Sequence, residues 1–256
     1  MSARWRRDIP LLCTIAALLA GFYSIISAAE GRFMVSAQMI MLSMILDGLD
    51  GNLARLLRGT SRLGADLDTF VDVISFGVAP AFLAHQAALR TFGLWGLGLS
   101  AAVVVSGAYR LARFRVIDPF RGQRGYLGLP ITVNAGWLAL CVFATESDLL
   151  AGVGLSLEEG PLAALVWACT VVFVLLQVSH LRYAKPTKTP VVFFTCSVFV
   201  LLLFLKTQIA VASALAMCTG LFFYAVVSPF LPKPMEAPEL ELDEAEDEEP
   251  VTVHHS

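Results

Sequence analysis

Four aspartates, Asp47, Asp50, Asp68 and Asp72, fall in stretches otherwise apolar enough to lie in lipid. An aspartate at the centre of an apolar helix costs roughly 2.5–3.5 kcal/mol on insertion scales, so four on neighbouring segments must face water, a metal, or both. Asp47 and Asp50 are three residues apart and Asp68 and Asp72 four, so on helices each pair shares one face. Two such helices offer four carboxylates to one cavity. Carboxylates packed that closely repel unless hard divalent cations lie between them, and all-oxygen ligation suits Mg²⁺, Mn²⁺ or Ca²⁺. No Cys/His cluster competes as a zinc site. Cys13, Cys141, Cys169, Cys196 and Cys218 are scattered through apolar segments without C-x-x-C spacing and read as small packing residues.

The residues around the acids fit a phosphate-bearing ligand. Gly51 lies on the acidic side of its helix and removes a side chain where a bulky polar group approaches the backbone. One turn on, Arg55 supplies a planar fork that pairs with phosphate. Between the pairs, Arg58-Gly59-Thr60-Ser61 reads as a turn, with Gly59 ending one helix and Thr60 or Ser61 capping the next. Such a hairpin brings the two acidic pairs together.

The elements that must hold them are membrane helices. The chain has 256 residues, is 57% hydrophobic and has a mean hydropathy of +0.73, too apolar for an ordinary soluble domain. The expected fold is all-α, a polytopic transmembrane helical bundle of about eight spans. They fall near 10–28, 34–57, 66–90, 94–114, 129–149, 161–180, 190–205 and 208–230. Laid out this way, Arg4, Arg6 and Arg7, the arginines at 55–62 and 110–124, Arg182, Lys185, Lys188 and Lys233 share one side. Only Arg32, Arg90 and Lys206 lie opposite. The positive-inside rule makes the first side cytoplasmic and puts both termini there. The acids then open toward the cytosol from a cell inner membrane.

The basic start and apolar run of residues 1–30 have the look of a signal peptide, but the spans that follow make it an uncleaved first helix. Past Pro234 the composition changes: residues 236–249 include nine acids. We divide the chain into a membrane domain, 1–232, and an acidic tail, 233–256, expected to be disordered and solvated. The tail hides a basic body behind the net charge of −3. No nucleic acid is expected as a partner.

Asp47-Gly48-Leu49-Asp50-Gly51-Asn52-Leu53-Ala54-Arg55, eight residues, then Gly64, Asp68 and Asp72 has the form D-x2-D-G-x2-A-R-x8-G-x3-D-x3-D. It resembles the signature of the CDP-alcohol phosphatidyltransferases at every fixed position. The resemblance implies an enzyme that displaces CMP from a CDP-linked lipid with an alcohol, in a helical membrane fold that is commonly homodimeric. By position it implies that Asp47, Asp50, Asp68 and Asp72 bind a divalent cation, Mg²⁺ or Mn²⁺. Gly51, Ala54 and Arg55 would line the cytidine diphosphate pocket, Gly64 would let the helices approach closely, and Asp72 would be the general base.

Further pieces, Ser75-Phe76-Gly77-Val78-Ala79-Pro80, Arg110-Leu111-Ala112-Arg113-Phe114, Gly128-Leu129-Pro130 and Arg182-Tyr183, resemble the bacterial and archaeal branch of that family that uses serine. The chain departs from that branch at Thr132 and Ala184, where it often has Pro, and at Arg115, where it often has Asn. The implied substrates are CDP-diacylglycerol and L-serine. Serine brings a carboxylate, and Arg110 and Arg113 are placed to pair with an anionic acceptor or the lipid phosphate. The alternative for either arginine is a snorkelling anchor at the headgroups. Glycerol 3-phosphate, inositol phosphate or choline are the other acceptors the family allows. From a different class, a cation transporter also carries intramembrane acids, although its site belongs near the midplane. Pro80 is expected to kink the third span, and His85 to be a polar interface residue.

Overall fold

The computed structural model describes residues 3–57, 62–117, 126–147, 156–183, 190–205 and 208–230. The expected turn at 58–61 and the acidic tail lie outside them. The chain opens with an antiparallel helical hairpin, α1 (Ala3–Ala29) and α2 (Phe33–Leu57), turning at Gly31 with φ +75°. Where neither lipid nor helix offers water, packing relies on small side chains and interhelical hydrogen bonds. The hairpin has both. Ser24 and Ser36 share a hydrogen bond at 2.8 Å, and the Ser43 hydroxyl donates to the Ala17 carbonyl at 2.8 Å. Gly21 admits the third span, since a Cβ there would stand 2.1 Å from the Ser75 hydroxyl.

That third span is made of three pieces: α3 (Arg62–Val71), a π-helical stretch (Asp72–Val78) and α4 (Ala79–Ala87). Pro80 accounts for the change of ladder. It has no N–H to give the Phe76 carbonyl and its ring crowds that carbonyl. Just before it, the Ala79 N–H reaches back five residues to Ile74. The expected disturbance at Pro80 is therefore a run of wide turns upstream of it, beginning at Asp72.

A short 3₁₀ turn (Leu89–Phe92) leads to α5 (Leu94–Ile117), then β1 (Tyr126–Leu127), α6 (Ile131–Thr145), α7 (Gly160–Val178), β2 (Arg182–Tyr183), α8 (Pro190–Leu202) and α9 (Gln208–Val227). A last 3₁₀ turn covers Ser228–Phe230. Six helical stretches are long and apolar enough to cross a membrane, and two shorter apolar helices, Ile131–Thr145 and Val191–Leu202, join them among the described residues. Their positions match the eight expected spans, although α6 ends four residues and α8 three residues early, which leaves these two shorter than the helices long enough to cross. At 15 residues α6 extends only about 22 Å, less than the bilayer core. It is the bundle's centre instead. Nearly all of its side chains are buried, packed by α2, α4, α7 and α9, which is where a helix apolar on every side belongs.

The one sheet among the described residues is a two-residue antiparallel pair, Tyr126 opposite Tyr183 and Leu127 opposite Arg182. It docks the segment before α6 onto the end of α7, helped by Gly128 N–H to Leu181 at 2.8 Å and Leu129 N–H to Leu176 at 3.0 Å. Gly128 has φ +73°, and a Cβ there would lie 2.3 Å from the Gln177 carbonyl oxygen. Only glycine suits both demands.

Candidate active site

Helical spacing puts Asp47, Asp50, Gly51, Ala54 and Arg55 on one stripe of α2, and the third span faces that stripe with Asp68 and Asp72. Carboxylate oxygens of Asp47, Asp50 and Asp68 all lie within 4.8 Å of one another. Asp50 is buried, and the other two are half-buried. One oxygen of Asp47 is buried without a hydrogen-bond partner. An ionised oxygen in that position has a strong requirement for a cation, and three carboxylates at this separation match the oxygen-rich set that hard divalent ions take. The donor set fits the expected metal.

Asp72 faces the same region from the first residue of the π-helical stretch. With Asp47 and Arg110 it lines a cavity of about 520 Å³. The wall continues through Tyr126, Thr132 and Tyr224, then turns apolar between α8 and α9 at residues such as Phe199 and Met217. A pocket polar at one end and apolar at the other suits an amphipathic ligand. Beside Gly51 there is open space, with nothing within 4 Å of where a Cβ would be. Ala54 is half-buried; Arg55 is exposed and donates to the Asn52 side chain at 2.7 Å. Gly64 is half-buried in α3.

The two arginines of α5 part company. Arg110 is 5% exposed, stacks over the Tyr126 ring at 5.5 Å, and keeps its Nε buried without a hydrogen-bond partner. It is the one cation on the cavity wall among the described residues. Arg113, equally buried, turns to the end of α7 and donates to the carbonyls of Val178 and Ser179 at 2.7 and 2.6 Å. Arginine near a helix C-terminus is well suited to unpaired carbonyls.

Three side chains at the site escaped the sequence reading. Thr14, in α1, donates to Asp50 at 2.5 Å and is 4% exposed. The available signal was a hydroxyl within the apolar run Leu11–Ala20. Tyr126 and Tyr224 reach the cavity from β1 and α9 and belong to no motif. His85, expected as a polar interface residue, shares a hydrogen bond with Ser100 at 3.3 Å, and of the cysteines read as packing residues the sulfurs of Cys141 and Cys218 meet at 3.5 Å.

Comparison with known proteins adds sequence relatives to this geometry. Residues 7–175 match the family model described as CDP-alcohol phosphatidyltransferase. A Helicobacter pylori (strain ATCC 700392 / 26695) protein named CDP-diacylglycerol-serine O-phosphatidyltransferase is 33% identical over 221 residues, 85% of this chain and 89% of that protein. Proteins of the same name from Methanocaldococcus jannaschii and Bacillus subtilis (strain 168) are 34% and 32% identical. The first match covers 68% of this chain and 76% of its relative, the second 56% and 80%.

Proposed function

Because this chain belongs to the CDP-alcohol phosphatidyltransferase family, we propose that it transfers the phosphatidyl group from CDP-diacylglycerol to L-serine, releasing CMP and forming phosphatidylserine. The observation that carries the choice of serine is Arg110, a buried guanidinium with an unpartnered Nε on a wall that otherwise bears the carboxylates Asp47 and Asp72. One guanidinium matches one carboxylate, the charge that serine itself carries. A phosphorylated acceptor brings about −1.5 to −2 charge at neutral pH beside a diphosphate that the cation and Arg55 already balance, and Arg110 is the one further cation among the described wall residues. That charge balance favours an amino acid over glycerol 3-phosphate or inositol phosphate.

Asp47, Asp50, Asp68 and Asp72 would hold the divalent cation, Mg²⁺ or Mn²⁺. When bound, it would neutralise the diphosphate and stabilise departing CMP. Gly51 leaves room for the diphosphate, Ala54 keeps the same helix face low, and Arg55 pairs with a phosphate oxygen from the rim. Gly64 would let α3 approach its neighbours closely, as the family resemblance implies. Asp72 takes the proton of the serine hydroxyl as that oxygen attacks the phosphorus carrying diacylglycerol. The bond from that phosphorus to the bridging oxygen breaks, and CMP leaves with the electron pair.

The basic span ends support a cytoplasmic-facing site in the inner membrane, with both termini on that side. A homodimer is the family's expectation for the exposed apolar flanks, with residues 1–232 forming the membrane domain. Family membership leaves the transporter reading without support.

An acceptor screen tests the proposal. Purified protein with CDP-diacylglycerol and Mg²⁺ or Mn²⁺ should release CMP when serine is added. Release with glycerol 3-phosphate but not with serine would show that the acceptor is misassigned.

A further inference from the structure

We propose that Thr14 of α1 is a positioning residue for the cation site, fixing the Asp50 carboxylate in the orientation that faces Asp47 and Asp68. The inference rests on the cation reading above. Thr14 lies outside the aspartate signature and contributes no carboxylate of its own.

The α1–α2 register brings it there. Along the hairpin, Ser24 meets Ser36, Ala17 meets Ser43, and Thr14 meets Asp50, three polar contacts from the closed end toward the acidic end. The first two hold the helices together without Thr14. Gly21 and Ser75 fasten the third span to the same face of α1, with the Ser75 hydroxyl 3.4 Å from the Ala17 carbonyl. One helix thus braces both carriers of the acids.

The hydroxyl has one proton and two acceptors near it: the Pro10 carbonyl one turn back at 3.1 Å and Asp50 Oδ2 at 2.5 Å. The bond to an ionised carboxylate is the shorter and stronger. With one oxygen held, the carboxylate plane loses its freedom to rotate, and its approach to the neighbouring acids is set in advance. Groups that orient a metal's ligands typically matter 10- to 100-fold in affinity.

The test is Mn²⁺ binding to the full chain in detergent, followed by electron paramagnetic resonance, for Thr14→Val, Thr14→Ala and Thr14→Ser. Valine keeps the β-branch and removes the hydroxyl; alanine serves if valine spoils folding; serine keeps the donor. The expected result is a roughly 10- to 100-fold weaker Mn²⁺ affinity for valine and alanine, and near-normal affinity for serine. Turnover of the weakened variants should recover as Mn²⁺ is raised, which a fault in helix packing alone would not produce. Unchanged Mn²⁺ affinity in valine or alanine overturns the inference by itself. An unaltered protein that binds no Mn²⁺ overturns the cation reading and this inference together.

Discussion

Arg113 donates to the Ser179 carbonyl at 2.6 Å, just past the end of α7, so a side chain on α5 closes a helix 66 residues away. With its second bond to Val178 it works as a clamp between α5 and α7, while its stack on Tyr109 at 5.8 Å stays within α5. Arg110, one turn earlier, is left to face the cavity.

The division of labour should appear when each is replaced. Arg113→Ala removes two charge-assisted bonds and is expected to cost roughly 3 kcal/mol of stability, read as a lower melting temperature in detergent. Its KM for serine should stay near normal where the protein is folded. Arg110→Ala should raise the KM for serine roughly 30-fold or more while melting changes little. The reverse pattern would make Arg113 the substrate contact.

Asp72 and Asp68 should separate by readout. Asp72→Asn keeps a polar group of the same shape but removes the base, so CDP-diacylglycerol binding should persist while turnover falls roughly 10²- to 10⁴-fold. Asp68→Asn should weaken metal dependence and lipid binding together. Comparable turnover in Asp72→Asn would exclude it as the proton acceptor.

Gly128→Ala meets both a left-handed backbone and the Gln177 carbonyl. The left-handed conformation alone costs roughly 1–2 kcal/mol, and the loop must shift to admit the methyl group. Tyr126 and Pro130, on either side, line the cavity. Melting temperature and turnover should therefore fall together, and a variant with normal values of both would show that the loop relaxes freely.

Removing residues 236–256 should leave turnover and serine KM within about two-fold of the full chain, because a segment of that composition, with nine acids in residues 236–249, has little apolar surface to contribute to the bundle. Steady-state kinetics in detergent check this. A collapse in turnover would assign the tail a part in the site.

Much of the architecture was legible because the relevant signals are local. Hydropathy marks each span from its own residues, which is why, among the described residues, six helices long enough to cross and two shorter apolar ones stand where eight spans were expected. The π-helical stretch was less accessible. Pro80 announced a disturbance in the ladder, but where the wide turns run depends on how Gly77 and Ser75 pack against their neighbours.

The amino-acid order alone determined the acidic stripe, since spacings of three and four residues face one way on any helix whatever surrounds it. It determined the family for the same reason: the signature is a pattern along one hairpin. The tertiary structure decided which polar groups meet across distance. Thr14 reaches Asp50 over 36 positions, Tyr126 pairs with Tyr183, and Arg113 leaves the cavity for α7 while Arg110 stays. Each outcome turns on the register and rotation of packed helices, set by small side chains at many contacts at once, and no single segment carries that information.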